Sequence, residues 1–219
     1  MKNATLVSVE GIDGSGKTTA AGELTGALTA RGHSVTWHAN RPFAPVRRAL
    51  DALAREEGFG DRIEMFGADF AQLVSTVCKW RDLLPLHAEL ARTDHCVIID
   101  RYVHAQYAIA RAFGTANEPL VRRLYASFPE PDVVVYLDVD AATATERVRR
   151  RPDDTHTRAF LESFGAAFRS LPEFAGFTVV DATQPLDVVR AQVWAAVEQV
   201  LARGTGPRST PQPAGAEAA

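Results

Sequence analysis

The chain has 219 residues, of which 46% are hydrophobic, and its formal net charge at pH 7 is −3. This length and composition predict one globular domain with a substantial core. The slight negative charge gives no sign of a general nucleic-acid surface, and no apolar run approaches membrane-spanning length. The first residues, MKNATLVSVEG, lack the basic and apolar regions of a signal peptide, so we expect a cytoplasmic protein.

The first element predicted along the chain is a short buried strand at residues 5–9, followed by the loop GIDGSGKT at residues 11–18. The loop matches G-x-x-x-x-G-K-[ST] without a gap. Its glycines can adopt backbone angles closed to other residues, so successive N–H groups can turn inward around an anion. A helix is predicted at residues 18–31, and this strand–loop–helix order is that of a site for the phosphates of ATP.

The side chains of this loop have predicted roles of their own. Lys17 is expected to reach the outer phosphates, and the Thr18 hydroxyl to complete the shell of a magnesium ion. The residues predicted to hold the nucleotide are Gly11, Asp13, Gly14, Ser15, Gly16, Lys17, Thr18 and Thr19.

Strand-like and helical segments alternate along the rest of the chain. Strands are predicted at residues 34–38, 96–100, 133–138 and 177–181, and helices at 46–57, at 62–92 with an interruption near Pro85, and at 185–202. Apolar strands separated by helices predict a three-layer α/β fold, with a parallel five-stranded sheet covered by helices on both faces. One domain is expected over residues 1–203, followed by a disordered Pro-, Gly- and Ala-rich tail at 204–219.

Two cysteines, Cys78 and Cys96, complete the composition. They have no metal-type spacing and lie in apolar stretches, so we expect buried free thiols in a reducing compartment.

The segment VIIDRY at residues 97–102 places a carboxylate at the end of an apolar strand. Right-handed crossovers bring the carboxyl ends of parallel strands to one edge, so Asp100 and Asp138 should lie beside the phosphate loop. Asp100 is then placed to hold water around magnesium, and Arg101 to clamp phosphoryl oxygens. The alternative is an ordinary ion pair at a strand end.

A basic cluster follows in the segment ERVRRRPDDTHTR, residues 146–158. Pro152 and two aspartates interrupt it, as expected for a mobile lid at about residues 148–158. Phosphoryl transfer needs positive charge on the transferring group and exclusion of water, and a closing lid supplies both. The alternative is a solvated helix face, and we expect one or two of these arginines to reach phosphate. The cluster contains Arg147, Arg149, Arg150, Arg151 and Arg158.

Together, the segments VEGIDGSGKTT, VIIDRY, PDVVVYLDVDAATATERVRRR and FLESFGAAFRSLPEF resemble the thymidylate (dTMP) kinase family of P-loop nucleoside monophosphate kinases. The resemblance covers residues 6 to about 201. It implies ATP and Mg²⁺ as cofactors and a homodimer built through the long helices of the acceptor half. It also implies that Asp13 lies near the acceptor sugar or the metal, that Asp100 and Arg101 bridge magnesium, acceptor phosphate and transferring group, and that Phe66 stacks on thymine.

The catalytic arginine of this family lies either in the loop or in the lid. Residues 12–15 contain no base, so the chain resembles the lid type. The residues expected to act in catalysis are therefore Lys17, Asp13, Asp100, Arg101, Arg149, Arg151 and Arg158.

Three departures from the family pattern fall on the acceptor side. The segment NRPFA keeps Arg41, which could meet the acceptor phosphate, without the family's Glu and Gly-Gly. Phe70 stands where the family has an arginine near the base, and VHAQYAIARAFG follows Asp-Arg-Tyr in place of the usual Ser or Thr and Ala-Tyr pair. The candidate acceptor-binding residues are Arg41, Phe66, Phe70, Arg101, Tyr102, Gln106 and Tyr107.

Three functions are consistent with these patterns. The first is transfer of the ATP γ-phosphate to dTMP or a closely related pyrimidine nucleotide. The second keeps this chemistry but changes the acceptor to a modified nucleotide, a nucleoside or another small metabolite, because altered hydrogen-bond donors can change specificity by about 10⁴-fold. The third is a regulator that binds ATP without transferring phosphate, against which Lys17, Asp100, Arg101 and the arginine cluster argue.

Overall fold

The computed structural model describes residues 4–39, 44–149 and 157–202. Its strands are β1 (Thr5–Glu10), β2 (Ser34–His38), β3 (His95–Asp100), β4 (Val133–Asp138) and β5 (Thr178–Asp181). They form a five-stranded sheet in the order β2-β3-β1-β4-β5, in which every neighbouring pair is parallel. The predicted parallel sheet is confirmed.

Helices connect consecutive strands and cover the sheet. They are α1 (Lys17–Ala30), α2 (Ala44–Glu56), α3 (Arg62–Phe66), α4 (Ala68–Leu83), α5 (Leu86–Leu90), α6 (Val103–Ala112), α7 (Glu118–Tyr125), α8 (Ala141–Arg149), α9 (Arg158–Arg169) and α10 (Leu186–Ala202), with a 3₁₀ turn at Pro172–Gly176.

The predicted helix at residues 62–92 is in fact three helices. The expected interruption near Pro85 separates α4 from α5. A second break, which the sequence reading missed, lies at Gly67, whose φ of 83° is in the left-handed region and ends α3. Glycine reaches this conformation without steric cost, so the chain changes direction there before α4 begins.

The central strands are buried along their whole length, which explains why they lack alternating polar residues. β1 lies between β3 and β4, with Val9 opposite Asp100 and Glu10 opposite Tyr136. β3 thus ends opposite Val9, and β4 continues two residues beyond the partner of Glu10. The loop after β1 therefore begins beside the polar residues that end β3.

An aromatic cluster supports this edge of the sheet from one face. The ring centroids of Tyr136 and Phe168 are 5.2 Å apart, and those of Phe164 and Phe168 are 4.9 Å apart. All three side chains are almost fully buried. Helix α9 thus packs its aromatic face against Tyr136 of β4.

Some sequence expectations fall partly or wholly outside the described residues. These include residues 150–156 of the predicted lid and the predicted tail. No helix in the described part of the chain is both long and apolar enough to cross a membrane. Both cysteines are free; Cys96 is buried as expected, whereas Cys78 is only half-buried.

We expect Phe168→Ala to lower the free energy of unfolding by about 3–5 kcal/mol, because it leaves a cavity in the aromatic cluster. The matched control is Phe59→Ala, since Phe59 is 39% exposed and its truncation should cost about 1 kcal/mol or less. Chemical denaturation of both variants measures the difference. Similar losses for the two would contradict the central role of the cluster.

Candidate phosphate-binding site

The loop between β1 and α1 has the backbone of an anion-binding turn. Gly11, Gly14 and Gly16 have φ values of 139°, 84° and 95°. Gly16 is the N-cap of α1, and the Ser15 N–H donates to the Ile12 carbonyl oxygen at 3.2 Å. The loop therefore presents its amides, together with the N-terminus of a helix, at the carboxyl edge of the sheet.

Gly14 is in close contact with helix α8. A Cβ at this position would lie 2.5 Å from the carbonyl oxygen of Ala144, closer than real contacts allow. Gly16 has an equally unusual φ, but nothing lies within 4 Å of its missing Cβ. The loop is thus packed against α8 at one glycine and open at the other.

Lys17 is the cation of the loop. Its Nζ donates to the Ile12 carbonyl oxygen at 2.7 Å, and only 6% of the residue is exposed. Burial, together with the nearby charge of Arg101, lowers the pKa of Lys17 to about 8, although Asp13 and Asp100 act in the opposite direction. The ammonium is therefore held inside the loop by the loop's own carbonyl group and can turn to a phosphate.

Thr18 and Asp100 join the loop to the end of β3. The Thr18 hydroxyl donates to Oδ2 of Asp100 at 2.8 Å, and Asp100 is only 2% exposed. Its Oδ1 is buried and has no hydrogen-bond partner among the described residues. Mg²⁺ prefers oxygen ligands and usually takes only one or two from the protein, the rest coming from phosphates and water. This hydroxyl and carboxylate fit such a site.

Arg101 follows Asp100 and has a φ of 65°, in the left-handed region that residues with a Cβ rarely occupy. Its Nη2 donates to Oδ1 of Asp13 at 2.5 Å, so the predicted carboxylate of the loop and the predicted clamp are in direct contact. Its Nη1 is buried and has no hydrogen-bond partner among the residues described. A buried guanidinium with an unused donor is suited to an oxyanion.

Glu10 holds this turn in place, a role that the sequence reading did not assign. Its carboxylate accepts hydrogen bonds from the Ser8 hydroxyl and from the backbone N–H of Tyr102, both at 2.8 Å. The residue is fully buried, and burial raises the pKa of Glu10 above its usual value, with His104 acting in the opposite direction. The end of β1 therefore fixes the residue that follows Arg101.

A groove of about 920 Å³ opens on the other side of the loop, between α1 and α10. Thr19 and Gln184 line it together with the loop glycines. Arg147 also lines it, and its guanidinium donates to the carbonyl oxygens of Gly14 and Ala182 at 3.3 and 3.2 Å. The groove is large enough for the nucleoside part of a nucleotide whose phosphates lie in the loop.

The other arginines of the basic cluster are less engaged. Arg149 is exposed at the end of α8. Arg158 pairs with Glu162 at 2.8 Å on the surface of α9, with 63% of its side chain exposed. Arg151 lies outside the described residues. Which of these reaches phosphate stays a prediction, as does the closing of the lid.

The aromatic residues predicted to face the acceptor lie around the α3–α4 break. The ring centroids of Phe66 and Phe70 are 5.3 Å apart, and Phe70 is 47% exposed. Arg41, predicted to meet the acceptor phosphate, is not among the described residues. Base stacking on these rings stays a prediction.

The three candidates that follow Arg101 are all buried. Tyr102 is fully enclosed, and its hydroxyl donates to the Pro129 carbonyl oxygen at 3.0 Å. Gln106 and Tyr107 are 4% and 6% exposed, and Arg122 lies 4.2 Å above the Tyr107 ring. Their role as acceptor contacts stays a prediction.

Two features of the site were accessible from the sequence but not recognised. Glu10 precedes the loop directly and is the charged residue of an otherwise uncharged strand, TLVSVE, which could have marked it as a structural carboxylate. Arg147 was grouped with the basic cluster, yet its place on the last turns of α8 distinguishes it from the residues that follow.

Comparison with known proteins gives a consistent result. Residues 9–193 match the sequence model of the family described as Thymidylate kinase. A thymidylate kinase of Deinococcus radiodurans is 31% identical, with 91% of this chain and 98% of the relative covered. One from Xanthomonas oryzae pv. oryzae is 34% identical over 90% of this chain and 84% of its own. A probable thymidylate kinase of Pyrobaculum calidifontis is 30% identical over 90% and 97%.

We expect Gly14→Ala to lower the free energy of unfolding by about 2–5 kcal/mol, because the added Cβ meets both an unfavourable φ and the Ala144 carbonyl group. Gly16→Ala is the matched control. It adds the same methyl group at a similar φ but in open space, and should cost about 1–2 kcal/mol. Denaturant titration compares the two, and equal losses would contradict the contact between loop and α8.

Proposed function

Because the chain belongs to the thymidylate kinase family, we propose that it transfers the γ-phosphate of ATP to dTMP, giving ADP and the diphosphate. One observation carries this proposal: the loop and the end of β3 are joined by two direct contacts, from Thr18 to Asp100 and from Arg101 to Asp13. A site that only bound ATP would have less need of Asp100 and Arg101 at the end of β3.

The protein contributes position and charge rather than a nucleophile. The acceptor phosphate is itself the attacking anion. Lys17 leaves the Ile12 carbonyl group to hold the outer donor oxygens, and the Nη1 of Arg101 takes an oxygen of the acceptor or transferring group. Asp13 orients that guanidinium through its hydrogen bond.

We propose that Mg²⁺ is held through the Thr18 hydroxyl and Oδ1 of Asp100. When bound, it would neutralise charge that accumulates on the phosphate oxygens during transfer. No group of three or more His, Cys, Asp and Glu side chains that could hold a metal occurs in the described part of the chain. A magnesium ion that takes most of its ligands from nucleotide and water does not need one.

One observation favours a second candidate acceptor. Phe70 stands where the family has an arginine near the base, and its ring is partly exposed beside Phe66. An apolar ring there removes a polar contact to the nucleobase. A pyrimidine nucleotide with a modified base is therefore the second candidate acceptor.

A panel of acceptors tests the proposal directly. We expect ATP- and Mg²⁺-dependent formation of dTDP from dTMP, with slower turnover of other monophosphates and of thymidine. Lys17→Ala should lower turnover by about 10²-fold or more, because it removes a charge from the transferring group. The control Arg123→Ala changes an exposed arginine on α7 and should leave turnover within about twofold. Selective turnover of another acceptor would support the second candidate, and ATP binding without any transfer would overturn both.

We also propose that the chain is a cytoplasmic homodimer. Two exposed apolar residues lie seven positions apart on and directly after α4: Val77 is 45% exposed and Leu84 38%. This spacing places them along one side of the helix, as in helices that pair. Such a stripe favours pairing with a second copy of α4.

We expect Val77→Asp to shift the chain from dimer to monomer in sedimentation velocity, because an unpaired charge would be buried in the interface. The matched control is Val188→Asp on α10, where Val188 is 37% exposed, and it should leave the mass unchanged. A wild-type chain that sediments as a monomer at micromolar concentration would exclude this dimer.

A further inference from the structure

The guanidinium of Arg101 lies over an aromatic ring of α9. Its central carbon is 5.1 Å from the centroid of the Phe164 ring, within the range of about 6 Å over which a cation is attracted to the face of an aromatic ring. Both side chains are enclosed, since that of Arg101 is 7% exposed and Phe164 is 1% exposed. Because this attraction is stronger where water is excluded, the ring helps to hold the guanidinium.

The ring and the carboxylate of Asp13 hold this guanidinium in different ways. Asp13 accepts a hydrogen bond from Nη2 of Arg101, whereas the Phe164 ring attracts positive charge through its quadrupole and provides no oxygen acceptor. Nη1 of Arg101 is buried and has no hydrogen-bond partner among the described residues. A second carboxylate in place of the ring would compete for this donor. An aromatic ring instead holds the guanidinium and leaves Nη1 to a phosphate oxygen.

Helix α9 supports the Phe164 ring firmly, because the helix is anchored on both sides of it. One turn earlier, Phe160 packs against Phe113, directly after α6, with ring centroids 5.1 Å apart. One turn later, Phe168 packs against Tyr136 of β4 at 5.2 Å. Three phenylalanines at four-residue spacing thus share one face of the helix. The outer two contact neighbouring elements, so the middle ring has little freedom to move.

We propose that Phe164 is a positioning residue for phosphoryl transfer, and that its ring orients the Arg101 guanidinium so that Nη1 meets the oxyanion. The inference rests on the proposed function, since it needs a phosphoryl group in transfer. Three contacts then define the arginine: its N–H donates to the Val9 carbonyl oxygen, Nη2 donates to Asp13, and the guanidinium carbon lies over the ring. The donor is therefore in place before the substrates arrive.

Leucine substitutions at two positions of α9 test this role. Phe164→Leu removes the ring that faces Arg101 and keeps an apolar side chain. The matched control, Phe168→Leu, makes the same change one turn later, where the ring packs against those of Tyr136 and Phe164. In steady-state assays with dTMP we expect kcat to fall by about 3- to 30-fold in Phe164→Leu and to stay within about twofold in Phe168→Leu. The KM for ATP should be unchanged in both variants.

A double-mutant cycle shows whether Phe164 acts through Arg101. If it does, most of the effect of Phe164→Leu on kcat should disappear in an Arg101→Met background, because the group that the ring orients is then absent. A ring that only supports the fold would lower kcat by the same factor in both backgrounds. The cycle therefore separates positioning of the arginine from a general loss of packing.

Replacement of Phe164 by pentafluorophenylalanine covers the case in which Phe164→Leu folds poorly. Fluorination nearly preserves the shape of the ring but reverses its quadrupole, so its face no longer attracts a cation. We expect kcat to fall as in Phe164→Leu. The same replacement of Phe168 should leave kcat within about twofold, because that ring packs against other rings.

The outcomes separate this inference from the proposed function. A wild-type chain that phosphorylates dTMP, together with an unchanged kcat in both replacements of Phe164, overturns the role of Phe164 alone. Equal falls in kcat for Phe164→Leu and Phe168→Leu, or full additivity in the cycle, would show that the ring only supports the fold and would overturn it too. If the wild-type chain transfers phosphate to no acceptor, the proposed function fails and this role fails with it.

Discussion

The buried carboxylate of Glu10 is the contact on which the geometry of the site depends. It ends the central strand and accepts the backbone N–H of Tyr102, a residue 92 positions later in the chain. Arg101, just before Tyr102, has a backbone conformation that costs about 1–3 kcal/mol in isolation. The hydrogen bond to Glu10, together with the pairing of the Arg101 N–H with the Val9 carbonyl oxygen, holds it there. A strained arginine is thereby directed at the phosphate loop.

The two halves of the site share this framework but come from different parts of the fold. The donor half consists of β1, the loop and α1, which are consecutive in sequence. The other half consists of Asp100 and Arg101 at the end of β3, which meet the loop only in three dimensions. Since β3 lies next to β1 in the sheet, Asp100 contacts Thr18 although 82 residues separate them. The order of the strands, rather than any local motif, creates the site.

This division explains what could be predicted from the sequence. The loop, its flanking elements and the apolar strands follow local patterns, and Lys17, Thr18 and Asp100 lie where those patterns place them. The break at Gly67 was missed because a glycine in a helical stretch is also tolerated as a helical residue. The sequence shows a carboxylate at the end of an apolar strand, which could have marked Glu10 as structural. Its partner, the Tyr102 N–H, depends on the pairing of β1 with β3 and is visible only in the tertiary structure.

The close contact between Gly14 and helix α8 has a consequence for how phosphate is bound. Because the loop already touches the Ala144 carbonyl group, it cannot move toward α8 when a ligand arrives. Its shape is fixed at the time of folding, by the sheet on one side and α8 on the other. The conformational entropy that a flexible loop would lose on binding is instead lost during folding. The loop is thus preorganised for phosphate before the nucleotide binds. A change that destabilises the packing of the loop should therefore also weaken phosphate binding.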